Sequence, residues 1–225
     1  MGKSRIKNRV IITGSTGMVG EGVLFECLNS DEIEAVLVIN RKPCGYTHVK
    51  LKEIIHQDFF DFSALEPEIA DYDACFFCLG ISSVGVSDEE YYKMTYTLTL
   101  HIAQTLSRLN SEMTFCYVSG AGTDSSEKGN SRWARVKGKT ENDLKKLPFK
   151  QVFNFRPGFI KPTKGLKYAH KFYKYINWAF PVGRALYPNG FCTLEELGLA
   201  MIHCLHFENQ SRTIEGKEII TLAKI

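Results

Sequence analysis

The residues Thr13-Gly14-Ser15-Thr16-Gly17-Met18-Val19-Gly20 set glycines at every third position, directly after the apolar run Val10-Ile11-Ile12. Such a segment can hold an anion. The first glycine permits a tight turn, the second lets backbone approach a pyrophosphate, and the third lets a helix pack close to a strand. The helix N-terminus then offers free N–H groups and a partial positive charge. Val19, Val23, Leu24 and Cys27 follow at helical spacing. A strand, a glycine turn and a helix in this order point to a dinucleotide, so Gly14, Ser15, Thr16, Gly17, Met18, Val19 and Gly20 are candidate cofactor residues.

Further candidates follow the other strand-like runs, because ligands of parallel α/β sheets cross the carboxyl ends of the strands. Asn40-Arg41-Lys42 stands where an NAD-selective site carries an acid. A cation there suits a 2′-phosphate, which favours NADP(H), with NAD(H) as the alternative. Gln57-Asp58-Phe59 could cover an adenine edge. Cys78-Leu79-Gly80 supplies a glycine turn for close backbone approach. Ser119-Gly120-Ala121-Gly122-Thr123 and Arg156-Pro157-Gly158 complete the rim.

The elements that must position these residues alternate. Strands are expected over residues 9–13, 35–39, 52–57, 74–79, 114–119 and 151–155, and helices over 20–28, 91–109 and 131–144. Nearly continuous apolar strands separated by helices argue for a parallel sheet buried on both faces. Beyond Pro162 the pattern changes. A basic, aromatic helix is expected over 166–180, with Tyr168, Phe172 and Tyr175 on one face. A loop over 181–189, a helix over 194–205 capped by Thr193, and a last short strand over 218–222 follow. The fold class is α/β: one Rossmann-type, doubly wound domain over residues 1–225, with 159–215 as a small substrate-side lobe.

At 225 residues and 44% apolar composition the chain fits one globular α/β domain. No apolar run is long enough to span a bilayer and no signal peptide is visible, so the expectation is a cytoplasmic protein. The 7 cysteines mostly sit in apolar runs and read as free thiols rather than a disulfide framework. Cys75 and Cys78 have CxxC spacing but lie on a strand, where residues three apart face opposite sides. His203 and His206 lack a further ligand pair, so no metal site is expected. Net charge is only +3, yet no acid occurs between Asp143 and Glu195. That basic stretch suits an anionic partner, or it is a solvated face whose acids lie elsewhere in the fold.

Together these residues resemble the short-chain dehydrogenase/reductase superfamily. The nearest members are its extended and atypical ones, including nucleotide-sugar epimerases and Tat-interacting-protein-like oxidoreductases. The segment 13–20 looks like their TGxxGxxG loop. Asp58-Phe59 resembles an adenine-contacting pair, and Arg156-Pro157-Gly158 their RPG. The resemblance implies a reactive tyrosine four residues before a lysine that binds ribose and lowers the tyrosine pKa. Lys137 fits that lysine. The tyrosine position holds Trp133, whose indole N–H donates a hydrogen bond but exchanges no proton near neutral pH. Ser119 matches the first residue of the family's Ser-Ser pattern, and Gly120 falls at the second. Catalytic candidates are thus Ser119, Lys137 and Trp133, the last expected beside the nicotinamide, with Thr123, Ser125, Tyr91, Tyr92 and Tyr96 as substitute proton donors.

Three readings of function follow. The first is an NADP(H)-dependent oxidoreductase or epimerase-like enzyme for a small, anionic substrate, with neither nucleic acid nor membrane as partner; a homodimer is compatible with it. The second is a catalytically inactive dinucleotide sensor or scaffold, which would keep the glycine loop and lose the tyrosine. The third is a nucleic-acid or membrane-surface protein using the lysines and aromatics of residues 161–174.

Overall fold

Strand after strand is buried on both faces. In β1 (Asn8–Thr13) the side chains of Val10 and Ile12 enter one apolar layer, with Val23 and Leu24 of α1 (Met18–Asn29). Ile11 enters the opposite layer, with Leu98 and Ile102 of α4 (Leu98–Leu109). The same division holds in β4 (Ala74–Phe77) and β5 (Thr114–Val118), where Phe76 and Cys116 point one way and Phe77, Phe115 and Tyr117 the other. A period of two with both faces apolar is what a central parallel strand requires. With β2 (Ile33–Asn40), β3 (Leu51–Ile55), β6 (Gln151–Arg156) and β9 (Arg212–Glu215) these strands form a 7-stranded parallel sheet, in the order β3-β2-β1-β4-β5-β6-β9. This is a doubly wound Rossmann-type sheet. Its order reverses between β1 and β4, which opens a crevice at the strands' carboxyl ends. This computed structural model describes residues 7–168, 180–208 and 210–225.

The turn from β1 into α1 sets the crevice floor. Gly14 has φ +75, which favours glycine, and its Cα side abuts the Cys78–Leu79 backbone: an added Cβ would lie 2.8 Å from those atoms. A Cβ on Gly20 would lie 2.2 Å from the Gly14 carbonyl oxygen, so the helix presses directly on the turn. On its other side α1 packs against α7 (Leu194–His203). That helix starts with a capping box, in which Glu196 N–H donates to the Thr193 hydroxyl and Thr193 N–H donates to the Glu196 carboxylate.

Some elements depart from expectation. After the one-turn α2 (Glu66–Ile69), the helix expected over 91–109 is α3 (Asp88–Tyr92), a π-helical turn (Lys93–Thr97) and α4, with Ser87 as the N-cap. The strand expected over 218–222 is a helix, α8 (Lys217–Leu222), which buries Ile219 and Leu222 three apart. The strand that closes the sheet is instead β9, just upstream. The expected loop over 181–189 contains α6 (Phe180–Leu186), with Pro181 in its first turn, where proline is tolerated. Residues 169–179, which carry most of the helix expected over 166–180 together with Phe172 and Tyr175, lie outside the described residues. Within the 159–215 span, β7 (Phe159–Lys161) and β8 (Phe191–Thr193) pair as a separate 2-stranded sheet, whereas α7 and β9 join the main body. The cysteines are free thiols; Cys75 packs in one layer and Cys78 against the other. Among the described residues no helix is long and apolar enough to cross a membrane, and no group of three or more His, Cys, Asp or Glu gathers as a metal site.

Gly20→Ala should force the Gly14 turn off the helix, at a cost of roughly 1–3 kcal/mol. In thermal unfolding its midpoint should fall by several degrees. Gly17→Ala should not move it, because a Cβ there meets only the Gly14 oxygen at 3.4 Å.

Candidate functional site

Two cavities share Cys78, Leu79 and Gly80 and run as one trough over the carboxyl ends of the central strands. The larger, about 710 Å³, is lined by Gly14, Thr16, Gly17, Asn40, Arg41, Lys42, Phe59, Cys78, Leu79 and Gly80 of the candidates, and also by Tyr168. Gly17 is the exposed N-cap of α1; its N–H donates to the Gly14 oxygen, and no side chain caps the helix. The first-turn N–H groups at Met18, Val19 and Gly20 are therefore offered to a ligand. Ser15 lies beneath the floor. Its hydroxyl donates to Asn40 Oδ1 at 2.9 Å, and Asn40 Nδ2 donates to Glu53 Oε1 at 2.9 Å. Ser15 and Asn40 thus hold the wall in shape. Arg41 and Lys42 are exposed on that wall, and neither side chain has an ion-pair partner among the described residues. Asp58 lines neither cavity; its carboxylate accepts the Phe60 N–H in a local turn.

The smaller cavity, about 270 Å³, is lined by Val19, Ser119, Lys137 and Pro157, with Val118 and Ile160. A buried polar network stands behind it. Glu141, on α5 (Arg132–Leu144), is fully buried, and Arg156 grips it through Nε at 3.0 Å and Nη2 at 2.5 Å. Ser119 Oγ lies 2.5 Å from Glu141 Oε1 and 3.1 Å from the Phe155 carbonyl oxygen. A hydroxyl has one proton, and here both neighbours are acceptors, so Ser119 presents lone pairs, not a proton, to the cavity. Lys137 donates to the Ser119 carbonyl oxygen. Burial pushes its ammonium down to about 8, against the pull of Glu141. Burial pushes the Cys78 thiol up to about 12.

Several candidates lie away from this cavity. Trp133, one turn before Lys137, lines neither space; its ring edge packs 3.4 Å from where a Gly122 side chain would begin. Tyr91 is buried under Arg132, and the Tyr96 hydroxyl donates to Asp143 at 2.7 Å with the Tyr92 ring tilted against its own. Thr123 donates to the Gly120 oxygen. Ser125 accepts from Arg156. Gly158 packs on the Gly190 backbone. Sequence reasoning missed Glu141 as part of the site. Its signal was available: it stands four residues after Lys137, on the same helix face.

The family described as "NAD dependent epimerase/dehydratase family" matches residues 10–133. The chain belongs to that family. The fold is that of extended short-chain dehydrogenases/reductases. A short chain dehydrogenase family protein from Francisella tularensis subsp. tularensis SCHU S4 superposes with TM-score 0.66 at 14% identity, over 92% of this chain and 97% of that one. The Bordetella bronchiseptica enzyme WbmG, solved in complex with NAD, gives TM-score 0.70 at 12% identity, over 100% of this chain and 78% of its own. Among relatives by sequence, "Protein FMP52-1, mitochondrial" of Scheffersomyces stipitis is 27% identical over 161 residues, 69% of this chain and 70% of that protein. Two further fungal proteins of the FMP52 name are matched over 64% and 66% of their own lengths. These names overturn the expectation of a cytoplasmic protein: the relatives are mitochondrial by name.

The buried lysine gives a pH signature. Lys137 titrates near 8 in the folded protein and near 10.5 when unfolded. Below pH 8 both states hold the proton, and the fold bears a buried charge. Between pH 8 and 10.5 the folded state releases it first, so the wild type gains stability. Urea unfolding of Lys137→Met and wild type should show the difference move by about 2–4 kcal/mol in the wild type's favour from pH 7 to 10.5. A pH-independent difference would mean that the lysine is solvated.

Proposed function

We propose that this protein is an NADP(H)-dependent oxidoreductase or epimerase-like enzyme acting on a small, anionic molecule, in a mitochondrial setting. The observation that carries the reading is the trough itself, with an uncapped helix N-terminus beside Gly17 at one end and Lys137 with Ser119 at the other. The residues fit a dinucleotide. Met18, Val19 and Gly20 N–H groups face the pyrophosphate, Phe59 and Leu79 flank the adenosine half, Arg41 and Lys42 meet a 2′-phosphate, and Lys137 binds the nicotinamide ribose. When bound, the nicotinamide supplies or accepts hydride. Family membership, relatives named mitochondrial and the NAD complex of the Bordetella bronchiseptica neighbour support a nicotinamide dinucleotide in a mitochondrial setting, and the NADP(H) preference rests on Arg41 and Lys42 alone.

A second reading, dinucleotide binding without carbonyl reduction, draws on a specific observation. Among the described residues no phenol lines the smaller cavity, and the hydroxyl that does is hydrogen-bonded to Glu141. The two readings separate on one assay. Oxidation of NADPH against a panel of aldehydes and ketones, at roughly 1 per second or faster and lost in Lys137→Met, supports the enzyme. Tight binding with no turnover supports the sensor. Of the lysines that the third reading would use, a nucleic-acid or membrane surface, Lys161 lies over the Phe180 ring, Lys167 donates to the Gly45 oxygen and Lys164 is exposed, while Lys171 and Lys174 lie outside the described residues.

Calorimetric titration should show tighter binding of NADPH than of NADH. Arg41→Ala should weaken NADPH about 10–100-fold, the equivalent of ~1.5–3 kcal/mol, and leave NADH unchanged. Equal affinities would refute the NADP(H) preference. Gly17→Val should stay folded but lose the rise in melting temperature that NADPH gives the wild type.

A further inference from the structure

Glu21 is a buried carboxylate in the first turn of α1, with 1% of its surface exposed. A buried carboxylate is costly unless its oxygens are well supplied with donors. Its donors come from two loops far apart in the chain. Tyr46 donates its hydroxyl to Oε1 at 2.5 Å, Lys167 its backbone N–H to Oε1 at 2.6 Å, and Tyr168 its backbone N–H to Oε2 at 2.7 Å. The same loops meet a second time. Lys167 Nζ donates to the Gly45 oxygen and lies 4.1 Å from the centre of the Tyr46 ring. Burial and the neighbouring Glu21 push the Tyr46 phenol up to about 12, so it remains a donor at any physiological pH. Both loops reach the larger cavity: Pro43 of the first and Tyr168 of the second are in its wall. Nothing in the glycine loop or the strand ends requires either contact. The helix that would receive the pyrophosphate at its N-terminus therefore also holds, one turn further along, the segments that flank the space above it.

We propose that residues 43–46 and 166–168 form a strap across the dinucleotide, latched by Glu21, with Tyr168 as a further cofactor contact that slows release. The proposal rests on the dinucleotide reading above and adds to it how the ligand is retained. With the latch closed, a bound dinucleotide leaves only after the Tyr168 segment lifts from Glu21. With the latch broken, escape is faster. Glu21 is a positioning residue here: it acts on the ligand through Tyr168.

Stopped-flow fluorescence of NADPH tests this, with displacement by excess NADP+ giving the dissociation rate. The wild type should release slowly. Glu21→Gln keeps the side chain's shape but turns an amide N–H₂ toward a donor, and should raise the dissociation rate at least tenfold. Tyr168→Ala should do the same with the latch intact, and Tyr168→Phe should restore slow release, because the ring is the cover. Hydrogen exchange supplies an independent readout: the Lys167 and Tyr168 amides should be protected in the wild type and exchange faster in Glu21→Gln. If the wild type binds NADPH and both Glu21→Gln and Tyr168→Ala release it within twofold of the wild-type rate, the strap is refuted while the dinucleotide reading stands. If Glu21→Gln does not fold, Tyr168→Ala decides alone. If the wild type binds neither NADPH nor NADH, both readings fall together.

Discussion

The structure depends on how closely α1 is pressed against the turn that leaves β1. The Gly14 carbonyl and the Gly20 Cα side meet with no room for a methyl group between them. That contact brings the start of the helix to the end of the strand and leaves the first-turn N–H groups facing outward. Everything above it follows. β4 comes to rest against Gly14 through Cys78 and Leu79, so the floor of the larger cavity and the entrance to the smaller one are the same three residues, Cys78, Leu79 and Gly80. Glu21 and its loops hang from the same helix. The parallel sheet supplies the direction, since every strand of the main sheet ends on this side.

The other end of the trough has a different economy. Glu141 is wholly buried, and Arg156 grips it bidentately across the gap between α5 and β6. That pair fixes the Ser119 hydroxyl and sets a negative charge near Lys137, which softens, without cancelling, the cost of burying an ammonium group. A fold selected for stability alone would place an apolar residue at position 137. A half-buried lysine at the mouth of a cavity, its ammonium pushed down to about 8 by burial, is the kind of group found where chemistry or binding is carried out. Trp133 stands one turn before Lys137 on the same face of α5, and its ring packs against Gly122 of the loop after β5.

Much of this was legible from residue types. The central strands were, because Val10-Ile11-Ile12 and Ala74-Cys75-Phe76-Phe77 are apolar on both faces and admit no solvent-facing alternative. The glycine spacing was, because each glycine has its own steric reason. β9 was not. Its sequence, Arg212-Thr213-Ile214-Glu215, is polar, as an edge strand needs, whereas Ile219-Ile220-Thr221-Leu222 carries the β-branched residues and is helical because Ile219 and Leu222 share a buried face. β7 and β8, three residues each, are too short for any periodicity. At the site, Lys137 was visible by its spacing from Trp133, but which way the tryptophan turns is a tertiary matter. Glu21 was invisible as a latch, since its partners stand 25, 146 and 147 residues away. The family match itself ends at residue 133, four residues before Lys137.

The central claim is that one nicotinamide dinucleotide lies along the whole trough, from the wall at Arg41 across the N-terminus of α1 to Lys137. A crystal structure of the protein grown with NADP+ tests it most directly. The account predicts the pyrophosphate within hydrogen-bond distance of the Met18–Gly20 amides, the 2′-phosphate at Arg41 and the nicotinamide ribose at Lys137. A dinucleotide bound elsewhere, or none at saturating NADP+, would contradict it.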